Sequence, residues 1–125
     1  MLKSELEMKT ENVCNLQYLI DMMGNKKPLI NGIMNSFLEQ IPEELKSIED
    51  AIAKIDYPII KSFAHTMKSS VSIMGISILT PILQEMEALG KEAIDIRKIK
   101  ELNLQLNLIC HQAIKEIEAE KLNYA

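Results

Sequence analysis

Residues 56–75 have the sequence DYPIIKSFAHTMKSSVSIMG, which contains the clearest helical pattern of the chain. Its apolar residues recur every three or four positions, the spacing of one face of an α-helix. Asp56 followed by Pro58 is typical of a helix start, and Gly75 is typical of a helix end. The stretch therefore predicts an amphipathic helix, whose inner face carries Ile60, Phe63, Ala64, Met67, Val71 and Met74.

Two helices are predicted before this stretch. A short one ends at Gly24, and a long one begins near Pro28. The apolar steps of three and four continue across Pro42, which predicts one long helix or two nearly collinear ones with a kink at that proline. The apolar positions are Leu16, Leu19, Ile20 and Met23 in the short helix, and Ile30, Ile33, Met34, Phe37, Leu38, Ile41, Leu45, Ile48, Ile52 and Ile55 in the long one.

Two further helices are predicted after residue 75. Ser77 or Thr80 can cap the first of them, Pro81 then lies in its first turn, and Gly90 is expected to end it. Asp95 is expected to cap a long last helix. The inner faces carry Ile78, Leu79, Ile82, Leu83, Met86 and Leu89 in the first, and Ile99, Leu102, Leu106, Ile109, Ala113 and Ile117 in the last.

These segments predict an all-α fold with one domain over residues 1–125. Four substantial helices, each with one wide apolar stripe and joined by short loops, pack as an antiparallel up-down four-helix bundle. The short N-terminal helix is an addition to this bundle. Residues 1–12 are polar and weakly patterned, so we expect them to be loosely ordered. The wide stripes can cover one another, so a monomer is the expected state.

Composition excludes several classes of protein. The chain has 125 residues, with 14 Lys and Arg against 18 Asp and Glu, and this net charge of −4 argues against nucleic acid as a partner. Its longest uncharged stretch, residues 69–84, is too short to span a bilayer. The charged N-terminus lacks the apolar core of a secretory signal. Cys14 and Cys110 are expected to be reduced core thiols, so the cytoplasm is the expected location.

The candidate chemistry centres on His65, because glycine-rich phosphate loops, metalloprotease histidine pairs and Cys-x-x-Cys motifs are absent from the sequence. At about 100° per residue, His65 lies about 140° from the centre of its apolar stripe and points outward. Lys61, Lys68, Ser69 and Ser72 share this polar face. An exposed imidazole beside ammonium groups is a nucleophile with positive charge ready for an anion.

The small serines after His65 leave a flat patch that the backbone of another protein can approach, so Lys61, Ser69 and Ser72 are candidate partner-docking residues. The alternative is that His65 is an ordinary histidine on a solvated helix face. The second histidine, His111, also points outward, but its neighbours are typical of an exposed helix face, and we predict no function for it.

The sequence around His65 resembles a known family. Residues 64–70, AHTMKSS, followed by Gly75, are similar to the histidine-containing phosphotransfer (HPt) domains of bacterial and fungal multistep phosphorelays, which have Ala-His-x-Leu-Lys-Gly-Ser here. The similarity extends to a Phe-Leu-Glu-x-x-Pro pattern at residues 37–42 and to a Leu-x-x-Met-Glu pattern at residues 83–87. It covers roughly residues 12 to 120.

The resemblance implies roles for three residues and shows one departure from the family pattern. His65 would accept a phosphoryl group from an aspartyl phosphate on a receiver domain and pass it to another receiver. Lys68 would steady the phosphoryl oxygens, and Glu87 would hydrogen-bond the imidazole. Ser69 stands where the family usually has Gly, which puts partner choice or transfer rate in question more than the activity.

The implied protein is a phosphocarrier in a two-component phosphorelay and not an enzyme, because it has no ATP site. Its partners would be the receiver domains of a hybrid sensor histidine kinase and of a response regulator. No cofactor and no metal is expected on this chain, since Mg²⁺ would be held by the receiver.

Two alternatives remain open from the sequence. One is a helical bundle that docks on a receiver or another partner without phosphorylation. The other is a metal or ligand carrier that uses His65 and Glu87, for which further ligands are not apparent.

Overall fold

The computed structural model describes residues 12–124, and this part of the chain contains five α-helices. They are α1 (Gln17–Met22), α2 (Lys27–Ala53), α3 (Tyr57–Ile73), α4 (Leu79–Glu92) and α5 (Ile96–Lys121), followed by a 3₁₀ turn at Leu122–Tyr124. The prediction that residues 1–12 are loosely ordered lies outside the described residues, apart from Asn12.

The four long helices form the predicted bundle. α2 packs against α3 and α5, and α4 packs against α3 and α5, so each long helix has two long neighbours. Loops of three to five residues join consecutive helices, which makes neighbours antiparallel. The all-α prediction and the extra short N-terminal helix are therefore confirmed, and α2 is one helix that continues through Pro42.

Side-chain caps hold two of the helix starts that were predicted from the sequence. The Asp56 carboxylate accepts from the backbone N–H of Ile59 at 3.3 Å, with Pro58 in the first turn of α3. The Asp95 carboxylate accepts from the backbone N–H of Lys98 at 3.1 Å at the start of α5. Each cap satisfies a backbone donor that has no partner within its helix.

The predicted boundaries of α4 are wrong at both ends. Neither Ser77 nor Thr80 caps the helix, because a backbone turn precedes it: Leu79 N–H donates to Ile76 O at 3.0 Å and Thr80 N–H donates to Ser77 O at 3.2 Å. Gly90 does not end α4 either. It lies inside the helix, which continues to Glu92, and Ala93 then adopts the left-handed conformation.

Two residues assigned to inner faces are exposed instead. Ile78 precedes α4 and is 54% exposed, and Ile55, which follows the end of α2, is 52% exposed. Ile55 has a positive φ of 51°, which takes the chain out of the helical path and breaks the periodicity that the prediction assumed.

The core is apolar throughout, and among the described residues no polar or charged residue is fully buried. Cys110 belongs to this core and Cys14 is half-buried against it, and both thiols are free. Burial raises the pKa of the Cys110 thiol to about 12, so it stays protonated and unreactive at neutral pH. The largest fully buried side chains are Leu19, Ile30, Met34, Ile41, Ile48, Ile60, Met67, Met74, Ile76, Leu79, Leu83 and Met86.

Residues 12–16, here called the N-terminal segment, are held to the bundle by hydrogen bonds that their backbone N–H groups donate. Val13 and Cys14 N–H donate to the two oxygens of the Glu116 carboxylate on α5, at 2.8 and 2.9 Å. Asn15 N–H is shared between the carbonyls of Met74, at 3.1 Å, and Gly75, at 3.2 Å. The segment therefore connects α5 to the turn after α3.

Candidate functional site

His65 lies in the middle of α3 on its outward face, with 68% of its side chain exposed. The residues on the opposite face of the same helix, Ile60, Ala64 and Met67, are fully buried. The helical period therefore places the imidazole in solvent while the inner face anchors the helix in the core.

Glu87, on α4, brings the imidazole and a lysine together. Its Oε2 lies 2.8 Å from His65 Nδ1, and its Oε1 accepts from the Lys68 ammonium at 2.6 Å. An ionised carboxylate only accepts hydrogen bonds, so the proton of the neutral imidazole is on Nδ1. The lone pair is then on Nε2, in a side chain that is largely exposed to solvent.

The hydrogen bond from Lys68 is the largest cause that lowers the pKa of Glu87 below its ordinary value. Partial burial opposes this shift, and the hydrogen bond from His65 adds to it. The carboxylate therefore stays ionised at neutral pH and accepts from both the Lys68 ammonium and the His65 imidazole.

A pH-dependent contribution to stability follows from this lowered pKa. The contribution is fully present above the ordinary pKa of a glutamic acid and is lost as the pH falls through the lower pKa of the folded state. We expect wild type and Glu87→Gln to differ at pH 7 by less than about 1 kcal/mol in free energy of unfolding, as is usual for a solvent-accessible pair at the surface. Urea unfolding at pH 7 and at pH 3 measures this difference.

The difference between the two proteins should shrink between pH 7 and pH 3, because glutamine does not titrate. All other carboxylates are common to both proteins, so their titration cancels. A difference that is the same at both pH values would show that the Glu87 charge contributes nothing to stability.

A shallow depression surrounds His65 and contains residues that the sequence analysis missed. The missed residues are Pro58, Ser62 and Thr66. Helical geometry could have identified Pro58 and Ser62, because positions seven and three before His65 lie on its face, and Thr66 is its neighbour in sequence. Thr66 is oriented by its hydroxyl, which donates to Ser62 O at 3.0 Å. The lining residues are Pro58, Lys61, Ser62, His65, Thr66 and Glu87.

The three candidate docking residues are all exposed on α3. Lys61 lines the depression, whereas Ser69 and Ser72 lie further along the helix and outside it. The depression therefore has one cation at its rim and small side chains beyond the imidazole.

His111 is exposed on α5 and makes no hydrogen bond or ion pair with another described side chain. No group of three or more His, Cys, Asp or Glu side chains within residues 12–124 is arranged to hold a metal ion. In the same range, none of the helices combines the length and the apolar character that crossing a membrane requires.

Two comparisons with known proteins found similarity to this chain. Residues 32–119 match the sequence profile of the Hpt domain. The fold is similar to the crystal structure of histidine-containing phosphotransfer protein B (HptB) from Pseudomonas aeruginosa PAO1, with a TM-score of 0.82 and 18% sequence identity over 90% of this chain and 96% of that chain. Likeness at this identity establishes the fold. A comparison with the curated proteins gave no match.

Proposed function

This chain belongs to the Hpt domain family, and from that premise we propose that His65 is its phosphoacceptor. Hpt domains carry a phosphoryl group on a histidine between receiver domains of a phosphorelay, and the chain is a phosphocarrier of this kind and not a kinase. The observation that supports His65 is the hydrogen bond between its Nδ1 and Glu87, at 2.8 Å, which leaves the lone pair on Nε2 of a largely exposed side chain.

The proposed transfer uses few groups of this chain. The Nε2 lone pair attacks the phosphorus of a receiver aspartyl phosphate, a P–N bond forms, and the bond from phosphorus to the aspartyl oxygen breaks. The aspartate leaves as a carboxylate, and the imidazole becomes positively charged. Glu87 then faces this charge through Nδ1–H, and its negative charge stabilises the phosphorylated ring. The reverse reaction on a second receiver regenerates His65.

Lys68 supplies positive charge beside the imidazole. Its ammonium already donates to Glu87, and two further hydrogens remain for phosphoryl oxygens. Most of the stabilisation in phosphoryl transfer comes from positioning and from neutralising charge on the equatorial oxygens. We therefore assign Lys68 to the phosphoryl group and Glu87 to the ring.

The Lys68→Ala variant should accept the phosphoryl group more slowly. A charge-assisted hydrogen bond in a partly desolvated complex contributes about 1–3 kcal/mol, so the transfer rate should fall between about 5-fold and 150-fold. Rapid-mixing transfer from a phosphorylated receiver measures this rate. Lys115→Ala, which removes an exposed lysine from α5, is the matched control. Equal rates for Lys68→Ala and wild type would exclude Lys68 from the mechanism.

The proposed partners are the receiver domains of a hybrid sensor histidine kinase and of a response regulator. They would dock over the depression, with Lys61, Ser69 and Ser72 as contacts and with Ser69 setting which receiver fits. No cofactor is assigned to this chain, because the receiver would bring Mg²⁺ with its aspartate. We propose that the chain acts as a monomer in the cytoplasm, where the free thiols of Cys14 and Cys110 would stay reduced.

Transfer from a panel of phosphorylated receivers tests this function. Intact-mass measurement should detect one added phosphoryl group, and the adduct should be labile in acid and stable in alkali, as a phosphohistidine is. Binding to receivers without any adduct would instead support the bundle as a docking module. An acid-stable adduct would contradict the assignment to histidine.

A further inference from the structure

Gly90 occupies a position where a glycine is unfavourable for the helix itself. It is buried within α4, and glycine in a helix interior is less stable than alanine. A Cβ built at Gly90 would lie 3.0 Å from Lys61 N, 3.1 Å from Lys61 Cβ and 3.2 Å from Lys61 Cα. Two of these three atoms belong to the backbone of α3 and cannot rotate away. The missing side chain therefore allows α3 and α4 to approach closely here.

This close approach lies one helical turn from the hydrogen bond at the site. Lys61 precedes His65 by four residues on α3, and Gly90 follows Glu87 by three residues on α4. Because the two helices are antiparallel, the Lys61–Gly90 contact and the His65–Glu87 contact are successive levels of one interface, about 5 Å apart along the axes. The helix separation at one level therefore constrains the separation at the next.

We propose that Gly90 is a positioning residue, which sets the separation of α3 and α4 so that Glu87 accepts from His65 Nδ1. The proposal rests on the proposed role of His65 as phosphoacceptor. A methyl group at residue 90 requires the helices to separate by a few tenths of an ångström at the level of Lys61. The carboxylate then moves away from the ring, and a hydrogen bond of 2.8 Å weakens with distance and misalignment.

The experiment compares Gly90→Ala with two other variants of the full chain. Gly32→Ala is the matched control, because Gly32 lies in α2 and a Cβ there meets nothing within 4 Å. Glu87→Ala defines the result when the acceptor is absent. The nitrogen-15 shifts of the His65 imidazole, measured without phosphate at a pH where the ring is neutral, report which nitrogen carries the proton.

We expect Gly90→Ala to lose a measurable part of the excess Nδ1–H form that distinguishes wild type from Glu87→Ala, because the hydrogen bond becomes longer, while Gly32→Ala keeps all of it. The phosphoryl transfer rate of Gly90→Ala should fall below that of wild type and Gly32→Ala, but less far than that of Glu87→Ala, which also removes the partner of Lys68. In the Glu87→Ala background, Gly90→Ala should change neither quantity further, because the two substitutions remove the same interaction.

A folded Gly90→Ala variant with the wild-type tautomer would overturn the proposal. If Gly90→Ala does not fold, the measurement is repeated with Gly32→Ala added, since that alanine strengthens α2. Failure of this double variant to fold would also overturn it, because Gly90 would then be a requirement of the fold. The tautomer is measured on the phosphate-free chain and therefore tests the role of Gly90 alone. Failure of the proposed function would appear in a different measurement, as a wild-type chain that receives no phosphoryl group.

Discussion

The His65→Gln variant is expected to accept no phosphoryl group from any receiver while it keeps the wild-type fold. Glutamine has an amide in place of the imidazole, and an amide has no basic lone pair for attack on phosphorus. The side chain of His65 is 68% exposed and its hydrogen bond to Glu87 is at the surface. The loss of stability should therefore be less than about 1 kcal/mol.

Two measurements check this expectation together. Intact mass after incubation with a phosphorylated receiver should show the adduct in wild type and none in His65→Gln, and thermal unfolding should give nearly equal melting temperatures. His111→Gln is the matched control, because it removes the other exposed histidine, on α5, and should accept phosphate at the wild-type rate. An adduct that persists in His65→Gln, or that is lost in His111→Gln, would contradict the assignment of the phosphoacceptor.

The second large effect is expected at Gly75, in the turn that follows α3. Gly75 has a φ of +65°, which costs an alanine about 1–2 kcal/mol. A Cβ there would also overlap the carbonyl oxygen of Asn15 and lie 2.9 Å from its carbonyl carbon. Asn15 would have to move, and its N–H would lose the carbonyls of Met74 and Gly75, a loss of about 0.5–1.5 kcal/mol.

We therefore expect Gly75→Ala to lower the free energy of unfolding by about 1.5–3.5 kcal/mol, the sum of these two effects. Urea denaturation at neutral pH measures it. Gly24→Ala is the matched control: φ is +61° and a Cβ meets nothing within 4 Å, so only the backbone strain applies. Equal losses in the two variants would show that the contact with Asn15 contributes nothing.

The Gly75→Ala variant should also release the N-terminal segment from α5. Val13 and Cys14, which donate to Glu116, directly precede Asn15, so a displacement of Asn15 is expected to disturb their hydrogen bonds. Hydrogen exchange at these two amides should therefore become faster in Gly75→Ala and stay slow in Gly24→Ala.

Most of the helices were predictable because their signals are local. Asp56 and Asp95 act on backbone donors three residues away, and the apolar period of α3 depends on neighbouring turns. The outward position of His65 follows from the same period. The prediction failed where two local structures compete for the same backbone groups. At Ser77 and Thr80 a backbone turn forms in place of a side-chain cap, and no property of the two side chains reveals this.

The candidate site was predictable in part. The resemblance implied a hydrogen bond between Glu87 and His65, which are 22 residues apart, but not that Lys68 binds the other oxygen of the same carboxylate. Lys68 and His65 lie one turn apart on α3, whereas Glu87 reaches them only through the packing of α4 on α3. Ion pairs of this kind depend on the separation and rotation of two helices, which a linear pattern does not contain.

The amino-acid order thus determined the number of helices, their inner faces apart from Ile55 and Ile78, and the face that carries His65, because each depends on interactions within a few turns of one helix. The tertiary structure alone decided which residues that are far apart in the sequence contact one another. Gly90 is a helix end by local rules and becomes an interior contact because Lys61 packs against it. Glu116 binds the backbone of Val13, which is 103 residues away. Such contacts depend on how the helices pack together, which no local segment specifies.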